Sequence, residues 1–71
     1  MSLRQYEICR DYILWMKHHA REKLLEIKSR FDIADQMKGQ IEKEQRRRIR
    51  ELEKLEQALS SEIDRLREAQ E

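Results

Sequence analysis

Seventy-one residues make at most one small domain, and a domain of that size ordinarily relies on a dense core, disulfides or a metal to offset the entropy of ordering it. A lone cysteine, Cys9, excludes an internal disulfide, and a chain that is 44% charged has little apolar material for a compact core. Sixteen basic against fifteen acidic residues leave a net charge of +1, so no overall field draws in nucleic acid or anionic lipid.

With one glycine, Gly39, no proline and a predominance of Leu, Glu, Lys, Arg and Gln, the composition belongs to the all-α, long-helix coiled-coil class. Helix is expected from the start of the chain. Ser2-Leu3-Arg4-Gln5 fits a capping box, in which the Ser2 hydroxyl meets the Gln5 amide and the Gln5 side chain reaches back. Apolar residues then recur at steps of three and four: Tyr6, Cys9, Ile13, Met16 and Ala20, then Leu24, Ile27, Phe31 and Ala34. The step from Ala20 to Leu24 breaks the alternation and reads as a stutter, which loosens a supercoil locally without ending it.

Within the first stretch, Tyr12-Ile13-Leu14-Trp15-Met16 turns through about 500° of helix, so the apolar surface there encircles the rod. One seam cannot cover such a girdle. The expected covers are further helices of the same protein or a different protein that docks on Tyr12, Leu14 and Trp15, tyrosine and tryptophan being favoured interface anchors. Cys9 falls on the apolar seam as a small buried hydrophobe. His18 and His19 are adjacent and point about 100° apart, so they cannot share a metal, and no metal or other cofactor is expected.

Continuing the register passes through Lys38, Ile41, Gln45 and Arg48, a polar interval, and then reaches Leu52, Leu55, Leu59, Glu62 and Leu66, with Ile63 beside Glu62. The chain therefore divides into a girdle half (1–37), a polar interval (38–48) and a leucine-heptad half (49–71). Two architectures fit. The favoured one is a near-continuous helix of about 65 residues, roughly 100 Å long, associating with copies of itself. The other is an antiparallel hairpin that turns near Gly39 and sets Ile27 against Leu52, Leu24 against Leu55, Ala20 against Leu59, Met16 against Ile63 and Ile13 against Leu66. Glu42–Arg46, Glu44–Arg48 and Arg47–Glu51, each four apart, favour helix through the polar interval and so favour continuity.

Arg46-Arg47-Arg48-Ile49-Arg50 ahead of heptad leucines suggests a basic zipper. However, the basic run abuts Leu52 and follows Glu42 and Glu44, whereas such a helix needs a longer basic region to lie in the major groove. Nucleic-acid binding is the lesser expectation. Asp11, Trp15, Leu24 and Leu25 resemble the first helix of a spectrin-type repeat; a full repeat needs three helices, which the plain heptad seam of the second half does not supply, and no family is identified.

No nucleophile–base pair, phosphate-binding glycine loop or enclosed carboxylate pair is visible, so no catalytic residue is named and no small-molecule substrate is expected. No secretory leader is visible, the longest apolar run is far short of a membrane span, and sparse cysteine fits a reducing, cytoplasmic setting. The expected function is that of an oligomerisation or scaffold segment of a larger intracellular protein, of cytoskeletal, motor or trafficking type, that forms a homodimer or binds another helical protein. Its expected interface is Ile13, Met16, Ala20, Leu24, Ile27, Phe31, Ala34, Ile41, Leu52, Leu55, Leu59, Ile63 and Leu66.

Overall fold

The computed structural model describes residues 2–70; the end residues of the three-part division, Met1 and Glu71, lie outside them. Two helices, α1 (Leu3–Ser29) and α2 (Asp35–Gln70), pack against each other as an antiparallel hairpin, with no strand among the described residues. The all-α expectation holds. The chain reverses, however, so it is not one near-continuous helix, and the reversal lies at Arg30–Ala34 and not at Gly39. The molecule measures 54 × 15 × 14 Å, the long dimension being about the length of α2 at the α-helical rise.

The capping box forms as expected: Ser2 accepts from the Gln5 amide through Oγ at 3.3 Å, and its own amide donates to Gln5 Oε1 at 2.8 Å. The end of α1 is where the local chemistry departs from helix. The Ser29 hydroxyl donates to the Glu26 carbonyl at 2.9 Å, a local bond that competes with helix continuation. Arg30 is extended (φ −84°, ψ 132°), its amide donating to the Ile27 carbonyl. Its guanidinium forks onto Asp32, Nε to Oδ1 at 3.0 Å and Nη2 to Oδ2 at 2.6 Å, and reaches back to Glu26 at 3.6 Å. The Arg30 hydrogen bond, helped by the Asp32 backbone amide, holds the Asp32 carboxyl at a pKa of about 2. The Ala34 carbonyl then accepts from the Lys38 amide to start α2, and Asp35 sits in its first turn, where negative charge suits the helix dipole.

Gly39 lies inside α2, and a Cβ there would meet nothing within 4 Å. The glycine therefore serves no turn and no close approach. Moving the turn changes the register. Lys17 meets Glu56 and Glu53, whereas a turn at Gly39 would have set it near Glu62, a difference of more than a turn and a half of helix.

The core between the helices is thin. Ile13, Ala20, Ile27, Leu52 and Ile63 are its buried apolar residues, Ile63 completely so, and Lys17 is buried with them at 9% exposure. Met16, Leu24, Ile41, Ile49, Leu59 and Leu66 are partly covered. Placing Lys17 in the inner stripe removes the stutter, because Tyr6, Arg10, Ile13, Lys17, Ala20, Leu24 and Ile27 alternate by four and three without a break. On α2 the inner stripe is Gln45, Ile49, Leu52, Glu56, Leu59, Ile63 and Leu66, again by four and three. Glu56 occupies the position that apolar spacing alone gives to Leu55.

Candidate functional site

Because the inner stripe of each helix is taken up by the other, functional surface has to be sought on the two flanks of the hairpin. One flank is ionic. Lys17 Nζ donates to Glu56 Oε2 at 2.6 Å and lies 4.0 Å from Glu53, which Arg21 also approaches at 3.3 Å. Arg67 and Glu7 add a fourth inter-helix contact at 3.7 Å. Lys17 and Glu56 are charged residues standing at facing inner positions, one on each helix, and they are each other's partner. A buried cation without that carboxylate would be strongly unfavourable, so the pair sets which residues face which.

The other flank is aromatic. Tyr12 and Trp15 stack with ring centroids 5.8 Å apart, and Trp15 stacks on His19 at 4.8 Å. With Ile8 they form a stripe along α1 at steps of four, three and four. Ile8, Tyr12 and Trp15 are all more than half exposed. Trp15, Met16, His19, Ala20 and Lys23 from α1 line a notch of about 130 Å³ closed on its other side by Gln45 and Arg48 of α2. Leu55, seven residues after Arg48 and so on the same side of α2, is also exposed. The aromatic stripe and Leu55 therefore edge one face.

The residues expected to bind partners divide across the hairpin. Tyr12 and Trp15 share the aromatic face; Leu14, exposed as well, is seven residues before Arg21 and lies on the ionic flank. Among the expected interface residues, Ile13, Met16, Ala20, Leu24, Ile27, Ile41, Leu52, Leu59, Ile63 and Leu66 are covered to differing extents within the chain itself. Leu55 and Ala34 are exposed, and Phe31 stands 98% exposed in the turn with the Lys38 ammonium 5.8 Å from its ring. Arg10, Lys17, Ile49 and Glu56 are the inner-stripe residues that apolar spacing passes over. The signal for Lys17 was the stutter itself.

The surface ion pairs also rearrange. Glu42–Arg46 forms at 3.8 Å, but Glu44 turns to Arg47 at 2.5 Å in place of Arg48. Arg48 and Lys23 have no ion-pair partner among the described residues, while His18 and His19 approach Glu22 at 3.0 and 3.7 Å. Among those residues no three His, Cys, Asp or Glu side chains come together as a metal site, and no helix is long and apolar enough to cross a membrane. Cys9 is a half-buried free thiol.

No family model matches the chain, and no curated protein or solved structure matches it significantly.

Proposed function

We propose that this chain is a helix-association segment of a larger intracellular scaffold or oligomerising protein, and that it acts by docking helices and not by catalysis. The carrying observation is the distribution of apolar side chains: among the described residues five are buried, whereas eight large ones, Tyr12, Trp15 and Leu55 among them, stand exposed. Ordering each residue costs roughly 1–2 kcal/mol, and two helices that bury so few side chains need more covered surface to be firmly folded. The aromatic face is the natural place for it, as exposed apolar patches of this kind mark interaction sites.

The experiment is a thermal melt at a concentration where sedimentation gives a monomer. The expected result is a shallow, low-temperature loss of helix that shifts upward when a helical partner is added. A sharp transition at high temperature in the isolated monomer sinks the reading. Self-association is a second form of the same function, supported by the seven-residue spacing of Ile8 and Trp15, which suits a further helical seam. In that case the melting temperature rises with the chain's own concentration, and Tyr12→Ser with Trp15→Ser abolishes the rise.

A further inference from the structure

The notch beside Trp15 has a chemical bias that the apolar face alone lacks. His19 and Lys23 enter it from α1 and Arg48 from α2, Gln45 adds an amide, and no carboxylate lines it. Most arginines of this chain lie against an acid, including Arg21, Arg30, Arg46, Arg47, Arg65 and Arg67. Arg48 and Lys23 do not, a property they share among the described residues with Arg4, Arg10, Arg50 and the other lysines except Lys17; Glu44 stands one turn from Arg48 but is held by Arg47. The nearest acid to His19 is Glu22, at 3.7 Å, which His18 engages more closely at 3.0 Å. One cationic side chain from each helix therefore lines a gap walled by the Trp15 indole, with Lys23 also bordering the neighbouring notch that holds Glu26. A guanidinium and an ammonium so placed match one carboxylate, and hydrogen bonds to ionised groups are the stronger kind.

We propose that this notch is a carboxylate-recognition site, filled by a glutamate or aspartate on an amphipathic helix of a different protein. The same helix lays its apolar residues on Ile8, Tyr12 and Trp15. The inference rests on the reading that the aromatic face docks a helix, and it adds the partner's charge and register. Tyr12 lies about two turns from the centre of the notch along α1, so the partner carries its acid about two turns from its apolar anchors. A second copy of this chain fits less well. It brings its own Lys23 and Arg48 to the same face, and of the acids on that side of α2 Glu44 and Glu62 are already engaged by Arg47 and Arg65, leaving Glu51, which stands one turn from its own Arg48.

The test titrates the isotope-labelled 71-residue chain with two helical peptides that share a leucine stripe and differ in one residue, glutamate or glutamine, two turns from it. With the glutamate peptide, the Trp15 indole and Arg48 guanidinium resonances move together. Binding weakens about tenfold with the glutamine peptide, and by as much when Arg48→Gln or Lys23→Gln meets the glutamate peptide. Arg48→Lys restores part of the loss. Arg50→Gln, outside the notch, leaves binding unchanged, and circular dichroism shows every variant folded. Equal affinity for the two peptides overturns the carboxylate site while leaving apolar docking intact. An Arg50→Gln loss equal to that of Arg48→Gln reduces the effect to net charge and overturns it too. Failure of both peptides to bind, with or without self-association of the chain, overturns the docking of a foreign acidic helix altogether.

Discussion

Leu55 and Glu56 are neighbours, and everything that apolar periodicity can weigh prefers Leu55 for the core. The hairpin prefers Glu56, because Lys17 reaches it at 2.6 Å and because choosing it brings Ile49 and Ile63 inward with it. The phase of α2 thus follows from two charged residues that pattern reading discards one at a time. Ile63, wholly buried, and Leu55, more than half exposed, make the phase measurable. Ile63→Ala, a large-to-small change in so thin a core, is expected to remove most of the helical circular dichroism of the isolated monomer. Leu55→Ala, judged on the isolated monomer, is expected to stay within about 0.5 kcal/mol of wild type. Similar losses at both sites would mean that the helix is rotated from the orientation described.

Asp32 belongs to the same scale. Its folded-state pKa is lowered from 3.8 to about 2 by Arg30, so its contribution to stability is present above the unfolded-state value and fades as pH falls from about 4 to about 2. Glu62, lowered by its hydrogen bond from Arg65, adds in the same direction. Asp32→Asn should therefore melt below wild type at neutral pH, with the two melting temperatures converging as the solution is acidified through that window. A gap that persists in full at the acid end would show that the Arg30 fork does not contribute to the turn.

At the scale of elements, the decision is where a long helical sequence reverses. Gly39 is the conspicuous breaker in the chain, yet α2 runs straight through it. A single glycine in a helix costs only about 1 kcal/mol relative to alanine, which Glu42–Arg46, Glu44–Arg47 and the packing of Ile41 help to offset. The break falls at Arg30–Ala34, where Ser29 and Asp32 offer the backbone and Arg30 local hydrogen bonds in competition with helix. Gly39→Ala separates the two locations. With open space around the position, it is expected to raise stability by about 0.5–1 kcal/mol, read by thermal or urea unfolding. A hairpin that turned at Gly39 would instead lose helix pairing in that variant.

Over the whole molecule, two straight helices with a short turn give a stubby rod. Small-angle scattering from the dilute chain should return the profile of the hairpin, whose Cα radius of gyration is 16.3 Å and long dimension 54 Å, enlarged by side chains and hydration. A dimension of roughly 100 Å, the length of a continuous helix, would mean that the turn opens in solution and that the inner stripes pair between chains. The same geometry explains why association falls to the flanks: once Ile13, Ala20, Ile27, Leu52 and Ile63 are covered within one chain, the exposed apolar surface is what remains for other helices.

Several properties of the molecule were legible in the residues alone. Composition and three–four spacing specify an all-helical chain apart from its turn, the Ser2–Gln5 box specifies its start, and the girdle at Tyr12–Met16 specifies more apolar surface than one seam can cover. These are local properties, carried by residues a turn or less apart. The burial of Lys17 and Glu56, and the release of Arg48 and Leu55 to the outside, depend on pairings 32 to 39 residues apart in the chain. A charged residue has no fixed sign in a periodicity argument: it is a flaw on a solitary helix and a register mark once its counterion arrives from the other. Only the packed pair of helices supplies that counterion, so only the tertiary structure decides which stripe faces inward.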